Sequence, residues 1–586
     1  MRIIPKSIKG TIYYYAQWSV RVKLDGRATG KTKGSGKSRV CTRSLYLGTA
    51  EKIAEALTGA RAPVEVRHRA FGFVGAVYRT AVEIGLADAL KKHMPGERFG
   101  TPRWLYFLLP IINRLQHATS KARMGEWAAG TVLPTLLGFD PKRLNSQTLW
   151  YVTDDVAREK ELRQRREKDT GLDDALFAGL DDRVFRAIEQ EVLGCVQALF
   201  PIQGDVLLYD TTNFFTYIEA PVRSKLARTG HNKDSHHHLR QVGLALCVDK
   251  EWGIPLFYRL YRGNAQDAKT FAEVVEDLLA SLRAGFSQID TLVLVLDKGN
   301  NSASTFAELK GEIRWVGSLV PSHHDDLMAL PLEQYEGRWE QRPSVRYHAY
   351  RRTVMGVDAM LVLTYNDKLR RKQEHTLEQG VEKLKHQINE KWAAYKRAPK
   401  DVPKAITRML HESHYGTCIA LSADNGKLSI SETGEAQKRK KRFGKNILFS
   451  ASPHDDPGWV ITQYHSKDPI EDSFKLLKDP GLIRWRPCRH WTDTKIRAYG
   501  FCCIMALLLI RVMELKAARA GLRMSPAVLK QELDDLREIV IIYDNSAAEI
   551  KVSTRSSIQQ KLWELFDLQL LENQLTRHNP NPHPTK

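Results

Sequence analysis

Cysteine is scarce in this sequence, and the spacing of its cysteines excludes two kinds of small stabilised domain. The chain has seven cysteines in 586 residues, and no two of them form a C-x-x-C pair. Zinc ribbons need closely spaced pairs of thiolate ligands, and disulfide frameworks need many cysteines in a short chain. The sequence therefore predicts neither, and its scattered cysteines fit a reducing cytosol.

Long apolar runs are also missing. The most apolar stretch, Phe501–Ile510, covers only ten residues before Arg511. A helix needs about 20 apolar residues to cross a bilayer, so we expect this stretch to lie in a buried core helix. The first residues, MRIIPKSIKG, contain no apolar signal-peptide core. We therefore expect a cytoplasmic protein without a membrane partner.

Acidic residues are too few to balance the basic ones. The chain has 89 Lys and Arg against 68 Asp and Glu, which gives a formal net charge of +21. Such an excess favours a polyanionic partner, with nucleic acid first and an anionic membrane surface second. From composition alone, a basic soluble protein with no such partner is the alternative.

The length of the chain exceeds what one hydrophobic core usually supports, so several domains are expected. Changes in residue pattern divide it into a small β module (1–65), a helical region (66–200), a strand-rich region (201–314), a strand-rich insertion with a long charged helix (315–455), a second helical region (456–530), and a C-terminal helical region with a disordered tail (531–586). The predicted fold class is α/β, in an α+β multidomain arrangement.

Residues 201–314 alternate between strands and a helix in a recognisable order. Strand patterns occur at Val206–Tyr209, Gln241–Val248, Ile254–Tyr261 and Thr291–Leu296, with a helical pattern at Ala268–Leu282. The second and third strands flank a short turn and predict a hairpin. A hairpin followed by a helical crossover predicts a mixed sheet covered by helices.

Two aspartates follow apolar strands in this region. Asp210 comes directly after Val206–Tyr209, and Asp297 comes directly after Thr291–Leu296. Open α/β sheets place ligands at the carboxyl ends of their strands, and carboxylates there suit Mg²⁺. Aspartate is also a common turn residue, so each one alone favours an ordinary structural role.

A third acidic motif, YHSKDPIEDSFKLLK, spans 464–478 and precedes an apolar stretch. At helical spacing Glu471 and Lys478 lie on one face, with Lys475 near it. A carboxylate and two ammonium groups on one stripe suit a metal ion beside a phosphate backbone. The sequence Asp468-Pro-Ile-Glu471 also matches a capping box, and the pattern alone leaves the two roles equally supported.

Two further polar clusters have ordinary interpretations. The run His236–His238 has no spaced ligand to complete a metal site, so we interpret it as a polar loop. The basic run Lys438–Arg442 fits a solvated turn as well as a grip on DNA. Trp315 and Trp339 are expected in the core, although either could stack on a flipped base.

The 464–478 motif resembles the Y-x2-R-x3-E-x6-K signature of DDE transposases of bacterial insertion sequences, in the insertion-sequence-four superfamily. Tyr464, Glu471 and Lys478 fall at the family spacing, and Lys467 replaces the usual arginine. Other segments are similar to the sixteen-thirty-four group of that superfamily: YDTT at 209–212, GHNKD at 230–234, GNAQDAKT at 263–270 and LDKGN at 296–300.

The resemblance implies a fold and a catalytic site. The fold would be an RNase-H-like mixed-sheet core in 201–314 and 456–530, interrupted by the β-rich insertion 315–455. Asp210, Asp297 and Glu471 would be catalytic and would hold two Mg²⁺ ions, with Mn²⁺ as a substitute. Asp210 would bridge both ions. Tyr464, Lys467, Lys475 and Lys478 would bind DNA.

The resemblance also implies partners. These are double-stranded DNA with terminal inverted repeats, target DNA, and a second copy of the chain in a DNA-bound synaptic complex. Residues 1–65 and 66–200 would bind the DNA ends. The alternatives are an RNase-H-like nuclease, a catalytically inactive DNA-binding relic of a transposase, and an RNA-binding protein, although no RNA-binding signature is present.

Overall fold

The fold is described from a computed structural model. It describes residues 2–578 except 24–37, 54–62, 158–182, 202–204, 219–223, 231–237, 266, 287–288, 298, 300–302, 396, 398, 425 and 544–547. The predictions for the turn at 26–37, the charged segment 155–185, His236, His237 and the tail after 578 fall wholly or mostly outside these residues. His238, the last of the three histidines, is exposed in a turn.

The strands are numbered in chain order. They are β1 (Arg2–Ile8), β2 (Thr11–Lys23), β3 (Ser38–Thr49), β4 (Pro63–Ala70), β5 (Glu97–Arg98), β6 (Thr101–Pro102), β7 (Val206–Phe215), β8 (Arg228–Thr229), β9 (Arg240–Asp249), β10 (Pro255–Arg262), β11 (Val293–Leu296), β12 (Arg314–Leu319), β13 (Gly337–Trp339), β14 (Arg342–Val354), β15 (Val357–Asn366), β16 (Ile419–Asp424), β17 (Lys427–Glu432), β18 (Lys445–Ser450), β19 (Arg537–Tyr543) and β20 (Ala548–Val552).

The α-helices are α1 (Gly72–Glu83), α2 (Leu86–His93), α3 (Leu105–His117), α4 (Met124–Ala129), α5 (Leu133–Leu137), α6 (Ser146–Ala157), α7 (Arg183–Leu199), α8 (Asp267–Gly285), α9 (Ala303–Leu309), α10 (Asp325–Met328), α11 (Asp367–Ala393), α12 (Lys404–Glu412), α13 (Gly434–Arg442), α14 (Pro457–His465), α15 (Asp468–Lys478), α16 (Asp493–Arg519), α17 (Pro526–Asp534), α18 (Ser557–Leu565) and α19 (Leu568–His578). Together with the strands they make a mixed α/β protein, as the sequence predicts.

The chain divides into two compact units. The first unit, called the helical unit here, comprises Met1–Pro201, Phe214–Val242 and Ser473–Lys586. The second, called the sheet unit, comprises Ile202–Asn213 and Gly243–Asp472.

The core of the helical unit is built on α16. The predicted core stretch Phe501–Ile510 is buried along its whole length. The ring of Phe501 stacks on Phe185 with centroids 4.7 Å apart and meets the edge of Phe107 at 6.3 Å. By length and composition α16 could cross a membrane, but 89% of its most apolar window is buried inside the protein. The prediction of a core helix is confirmed.

The helical unit also contains small antiparallel sheets, of which the pair β5 and β6 is the shortest. The first contains β1, β2 and β3 and lies in the segment predicted as a small β module. The second joins β4 to the hairpin of β19 and β20, where Arg69 pairs with the buried carboxylate of Glu538. The C-terminal region, expected to be helical, therefore contains a hairpin, because Arg537–Tyr543 is rich in β-branched residues and pairs with a distant strand.

Apart from the hairpin of β16 and β17, the described strands of the sheet unit form one large mixed sheet. Its order is β10-β9-β7-β11-β12-β18-β15-β14-β13. β11 pairs in parallel with β7 and β12, whereas β12, β18, β15, β14 and β13 pair antiparallel to one another in that order. The strands predicted in the insertion 315–455 therefore extend the sheet that contains β7 and β11.

The remainder of that segment packs around α11 and includes the hairpin of β16 and β17. Leu377, Val381, Leu384 and Ile388 line one side of α11 at helical spacing and pack with Ile406, Cys418, Ile419 and Ala436. The basic run Lys438–Arg442, expected to be a turn, is instead the end of α13. Basic side chains in a last helical turn are stabilised by the helix dipole, which explains the difference. Trp315 and Trp339 are both buried, as expected.

Candidate active site

Asp210 lies within a strand of the sheet unit rather than after it. The sequence predicted a strand ending at Tyr209, but β7 continues to Phe215. The added residues include Thr211, Thr212 and Phe214, whose β-branched and aromatic side chains favour a strand and are buried. Asp210 itself is half-buried, and its Oδ1 accepts a hydrogen bond of 2.7 Å from the amide of Thr211. Its backbone is therefore fixed by the sheet.

Asp297 comes directly after β11, as the sequence predicted. β11 pairs in parallel with β7, and the register aligns Val293 with Val206 and Leu296 with Tyr209. Continued by one residue, this register places Asp297 beside Asp210. Neighbouring strands lie about 4.8 Å apart, and aligned residues point to the same face. The structure thus brings the two predicted aspartates together on one face of the sheet.

Asp210 and Asp297 form a row of aligned side chains across the sheet, and a serine on the next strand extends this row. β12 pairs in parallel with β11 and aligns Val316 with Val295. The same register continued by two residues places Ser318 beside Asp297 on the side away from Asp210. Ser318 is fully buried. No local sequence pattern indicates this residue, because its position beside Asp297 depends on how β12 pairs with β11.

Two side chains from the segment after β18 hold the Asp297 carboxylate. The Tyr464 hydroxyl donates to Oδ1 of Asp297 at 3.1 Å and lies 2.6 Å from the hydroxyl of Ser318. The Lys467 ammonium donates to the same Oδ1 at 3.0 Å. The Lys467 side chain is 18% exposed and that of Asp297 44% exposed, so this ion pair lies at the edge of solvent.

The phenol of Tyr464 acts as a hydrogen-bond donor at this site. Burial raises the pKa of Tyr464 well above its ordinary value, and the negative charges of Asp297 and Asp210 raise it further. The hydroxyl therefore keeps its proton at neutral pH. The influence of both aspartates on one phenol also places Tyr464 close to the acidic pair.

Glu471 is the predicted site residue that the structure does not bring into this pair. It is exposed on the first turn of α15, and its amide donates to the carbonyl of Lys467 at 3.2 Å. In the part of the chain that the structure describes, no group of three or more His, Cys, Asp or Glu side chains could hold a metal ion. Glu471 is therefore linked to the acidic pair only by its backbone hydrogen bond to Lys467, whose side chain contacts Asp297.

The predicted DNA-binding residues fall in two places. Tyr464 and Lys467 contact Asp297 in the sheet unit, as described above. Lys475 and Lys478 belong to the helical unit. Lys475 is exposed, and the Lys478 ammonium lies 5.9 Å from the centroid of the Phe214 ring. Their contacts with phosphate stay predictions.

The acidic pair has the chemistry of a divalent-cation site. Mg²⁺ prefers oxygen ligands, and in proteins it commonly takes one or two carboxylates and completes its shell with water and phosphate. Asp210 and Asp297 provide two such carboxylates in register. Oδ1 of Asp297 already accepts a cationic group, the Lys467 ammonium. The residues present therefore fit a divalent ion.

The solved structures that this chain resembles include two transposases. The first is a piggyBac transposase in a synaptic complex with hairpin DNA, at 11% identity and a TM-score of 0.39, covering 88% of this chain and 84% of that chain. The second is the Mos1 transposase in a paired-end complex with its left transposon end, at 12% identity and a TM-score of 0.15, covering 30% of this chain and 55% of that chain.

No family model and no curated protein matches the chain. Both TM-scores are below the level at which two folds can be equated.

Proposed function

We propose that this protein is a DNA transposase that binds the ends of an insertion sequence, cleaves the DNA there and joins the freed end to a target. The observation that carries the proposal is the row of Asp210 and Asp297 on adjacent parallel strands, with Tyr464 and Lys467 directed at Asp297. A rigid acidic pair at the edge of solvent suits metal-dependent chemistry on phosphodiesters.

Asp210 and Asp297 would hold the divalent metal, and the family resemblance adds Glu471, which lies outside this pair in the structure. Two bound Mg²⁺ ions, or Mn²⁺ in their place, would lower the pKa of the attacking water or 3′-hydroxyl and neutralise charge on the leaving oxygen. The sheet fixes both aspartates, and the hydrogen bond from Tyr464 orients the Asp297 carboxylate. Hydrolysis would free a 3′-hydroxyl, which would then attack a phosphodiester of the target.

The Lys467 ammonium has a second role in this proposal. While it is paired with Asp297 it neutralises a carboxylate that would otherwise repel DNA. When Asp297 takes a different cationic partner, Lys467 becomes available to a phosphate of the bound strand. A lysine binds phosphate as a point charge, without the two-pronged geometry of arginine. This exchange fits the lysine found here where the resembled family has arginine.

The excess of positive charge supports a DNA partner. A net charge of +21 attracts a polyanion at long range, and each phosphate contact releases bound counterions. Binding should therefore weaken steeply with salt, by roughly tenfold or more between low and moderate salt for several phosphate contacts.

An RNase-H-like nuclease is the second candidate function, since it would use the same acidic pair. A nuclease cuts DNA but does not join the product to a target. A DNA-binding relic without activity is the third, and the aligned carboxylates give it no support. Cleavage and joining, measured separately, distinguish all three.

The decisive experiment supplies DNA from both flanks of the coding sequence, together with Mg²⁺, and measures cutting and joining separately. Asp297→Asn should abolish both while end binding is retained. Asp424→Asn is the matched control, because Asp424 is an exposed aspartate on β16 of the same unit. Normal cutting by Asp297→Asn would refute the site, and cutting without joining would favour the nuclease.

A further inference from the structure

The helical unit contains a cavity whose wall is strongly basic. Its volume is about 500 Å³, and it lies among α3, α6, the segment after α15 and the first turns of α16. Six cationic side chains line it: Arg114, Lys121, Arg484, Arg486, Arg489 and Lys495. None of the lining residues that the structure describes is acidic. The lining therefore attracts an anion.

Two of these cations are fixed in the wall. Arg114 is 8% exposed and donates to uncharged acceptors, namely the Thr119 carbonyl at 2.6 Å and the Tyr499 hydroxyl at 3.2 Å. Lys495 is 1% exposed and donates to the carbonyl of Trp150 at 2.9 Å. The positive charge of Arg114, held this deeply beside uncharged acceptors, is unfavourable unless a negative group comes close to it. Arg484 and Arg489 are exposed and can reach a ligand from the solvent side.

An aromatic ring lies between two of the cations. The Lys495 ammonium is 3.6 Å from the centroid of the Trp150 ring, and the Lys121 ammonium is 4.8 Å from it. Trp150 is only half-buried, so part of its ring is available to a ligand. A ring beside positive charges matches a ligand that has both a flat base and a phosphate.

A neutral imidazole adds a polar group to the same wall. Nδ1 of His490 is buried and has no hydrogen-bond partner among the described residues. Burial holds the pKa of His490 well below its ordinary value, and the charges of Lys121, Arg114 and Lys495 lower it further. The ring is therefore uncharged at neutral pH and is able to hydrogen-bond to the edge of a base.

We infer that this cavity binds an unpaired nucleotide of a DNA strand, with its base against Trp150 and its phosphate between the arginines. The volume is within the usual range for ligand pockets, about 300–1,000 Å³. A base inside a duplex cannot reach such a wall, so the nucleotide must be extrahelical. The DNA source of the nucleotide rests on the proposed function, since a free nucleotide shares the same chemistry.

The test measures binding of two fluorescent DNAs by anisotropy, in EDTA so that no cleavage occurs. One duplex has a central run of unpaired adenines in one strand, and the other is fully paired and of equal length. Wild type should prefer the first. Trp150→Leu should weaken its binding roughly fivefold or more, the scale of one lost base–aromatic stack, and leave the paired duplex unchanged. Trp150→Phe should restore most of the preference.

A matched pair of surface variants keeps the test decisive if Trp150→Leu fails to fold. Arg489→Gln should weaken binding of the unpaired duplex by roughly threefold or more, as expected for one lost phosphate contact. Arg523→Gln is the control, because Arg523 is an exposed arginine of the same unit that does not line the cavity. Equal effects of the two variants would overturn the inference, even if Trp150→Leu failed to fold.

The remaining outcomes separate this site from its alternatives. Tighter binding of the same strand as RNA would overturn the assignment to DNA. Binding of deoxyadenosine monophosphate, with no preference for the unpaired duplex, would make the cavity a site for free nucleotides and overturn it also. Loss of Trp150-dependent binding with intact cleavage would refute the cavity alone. Intact Trp150-dependent binding in a protein that never cleaves DNA would refute the proposed function alone.

Discussion

The acidic row of the sheet unit and the basic cavity of the helical unit select opposite partners. In the row, two carboxylates align on parallel strands, and a lysine ammonium binds one of them. In the cavity, six cations and a tryptophan ring line the wall, without an acidic residue among the described lining. The first arrangement attracts a metal ion, and the second attracts a phosphate. A protein that acts on nucleic acid needs both, a metal ion for catalysis and phosphate contacts for binding.

The largest expected effect would separate the two regions completely. Asp210→Asn should reduce Mg²⁺-dependent cleavage by about a thousandfold or more, because it removes a carboxylate worth several kcal/mol of charge stabilisation. Binding of the duplex with unpaired adenines should be unchanged. Rates come from single-turnover cleavage and affinities from anisotropy. A parallel loss of both activities would show that the two regions do not act independently.

A smaller effect is expected from the hydroxyl that joins the row to α14. Tyr464→Phe removes hydrogen bonds to Asp297 and to the buried Ser318. Because two hydrogen bonds are lost, one of them to a carboxylate, the free energy of unfolding should fall by about 1–3 kcal/mol. Denaturant unfolding measures this. An unchanged midpoint would mean that the hydroxyl does not stabilise the row.

The smallest expected effect is on the affinity for Mn²⁺ and comes from Lys467, whose ammonium contacts Asp297. Lys467→Met removes the ammonium that competes for Asp297, so Mn²⁺ should bind about two- to fivefold tighter, given the weak energy of a partly exposed ion pair. Lys427→Met is the control, since Lys427 is exposed on β17 of the same unit. Calorimetry measures both affinities. Weaker Mn²⁺ binding in Lys467→Met would instead mean that the lysine orients the carboxylate for metal.

Local elements were predicted well because their signals are local. The hairpin of β9 and β10, the strand before Asp297 and the long helices α11 and α16 all follow from short-range patterns of apolar residues. The turn between β9 and β10 is fixed by a neighbouring side chain, as the Asp249 carboxylate accepts amide hydrogen bonds from Glu251, Trp252 and Ile254.

Elements that depend on distant partners were not predicted. The hairpin of β19 and β20 pairs with β4, some 470 residues earlier in the chain, and no pattern within residues 531–586 indicates that partner. The extension of the sheet by the strands of 315–455 has the same cause. Which strands pair, and in which register, depends on contacts between segments that are far apart in the chain. Local sequence patterns do not indicate these contacts.

The sequence by itself determined which residues have the chemistry: Asp210, Asp297 and the Tyr464–Lys478 motif stand out by strand position and spacing. Only the tertiary structure decided that the two aspartates align with Ser318 and that Lys467 binds Asp297. It alone also assembled the basic cavity from segments near residues 114, 150 and 490. The physical reason is the range of the interactions, since periodicity acts over a few residues whereas register and packing join residues hundreds of positions apart.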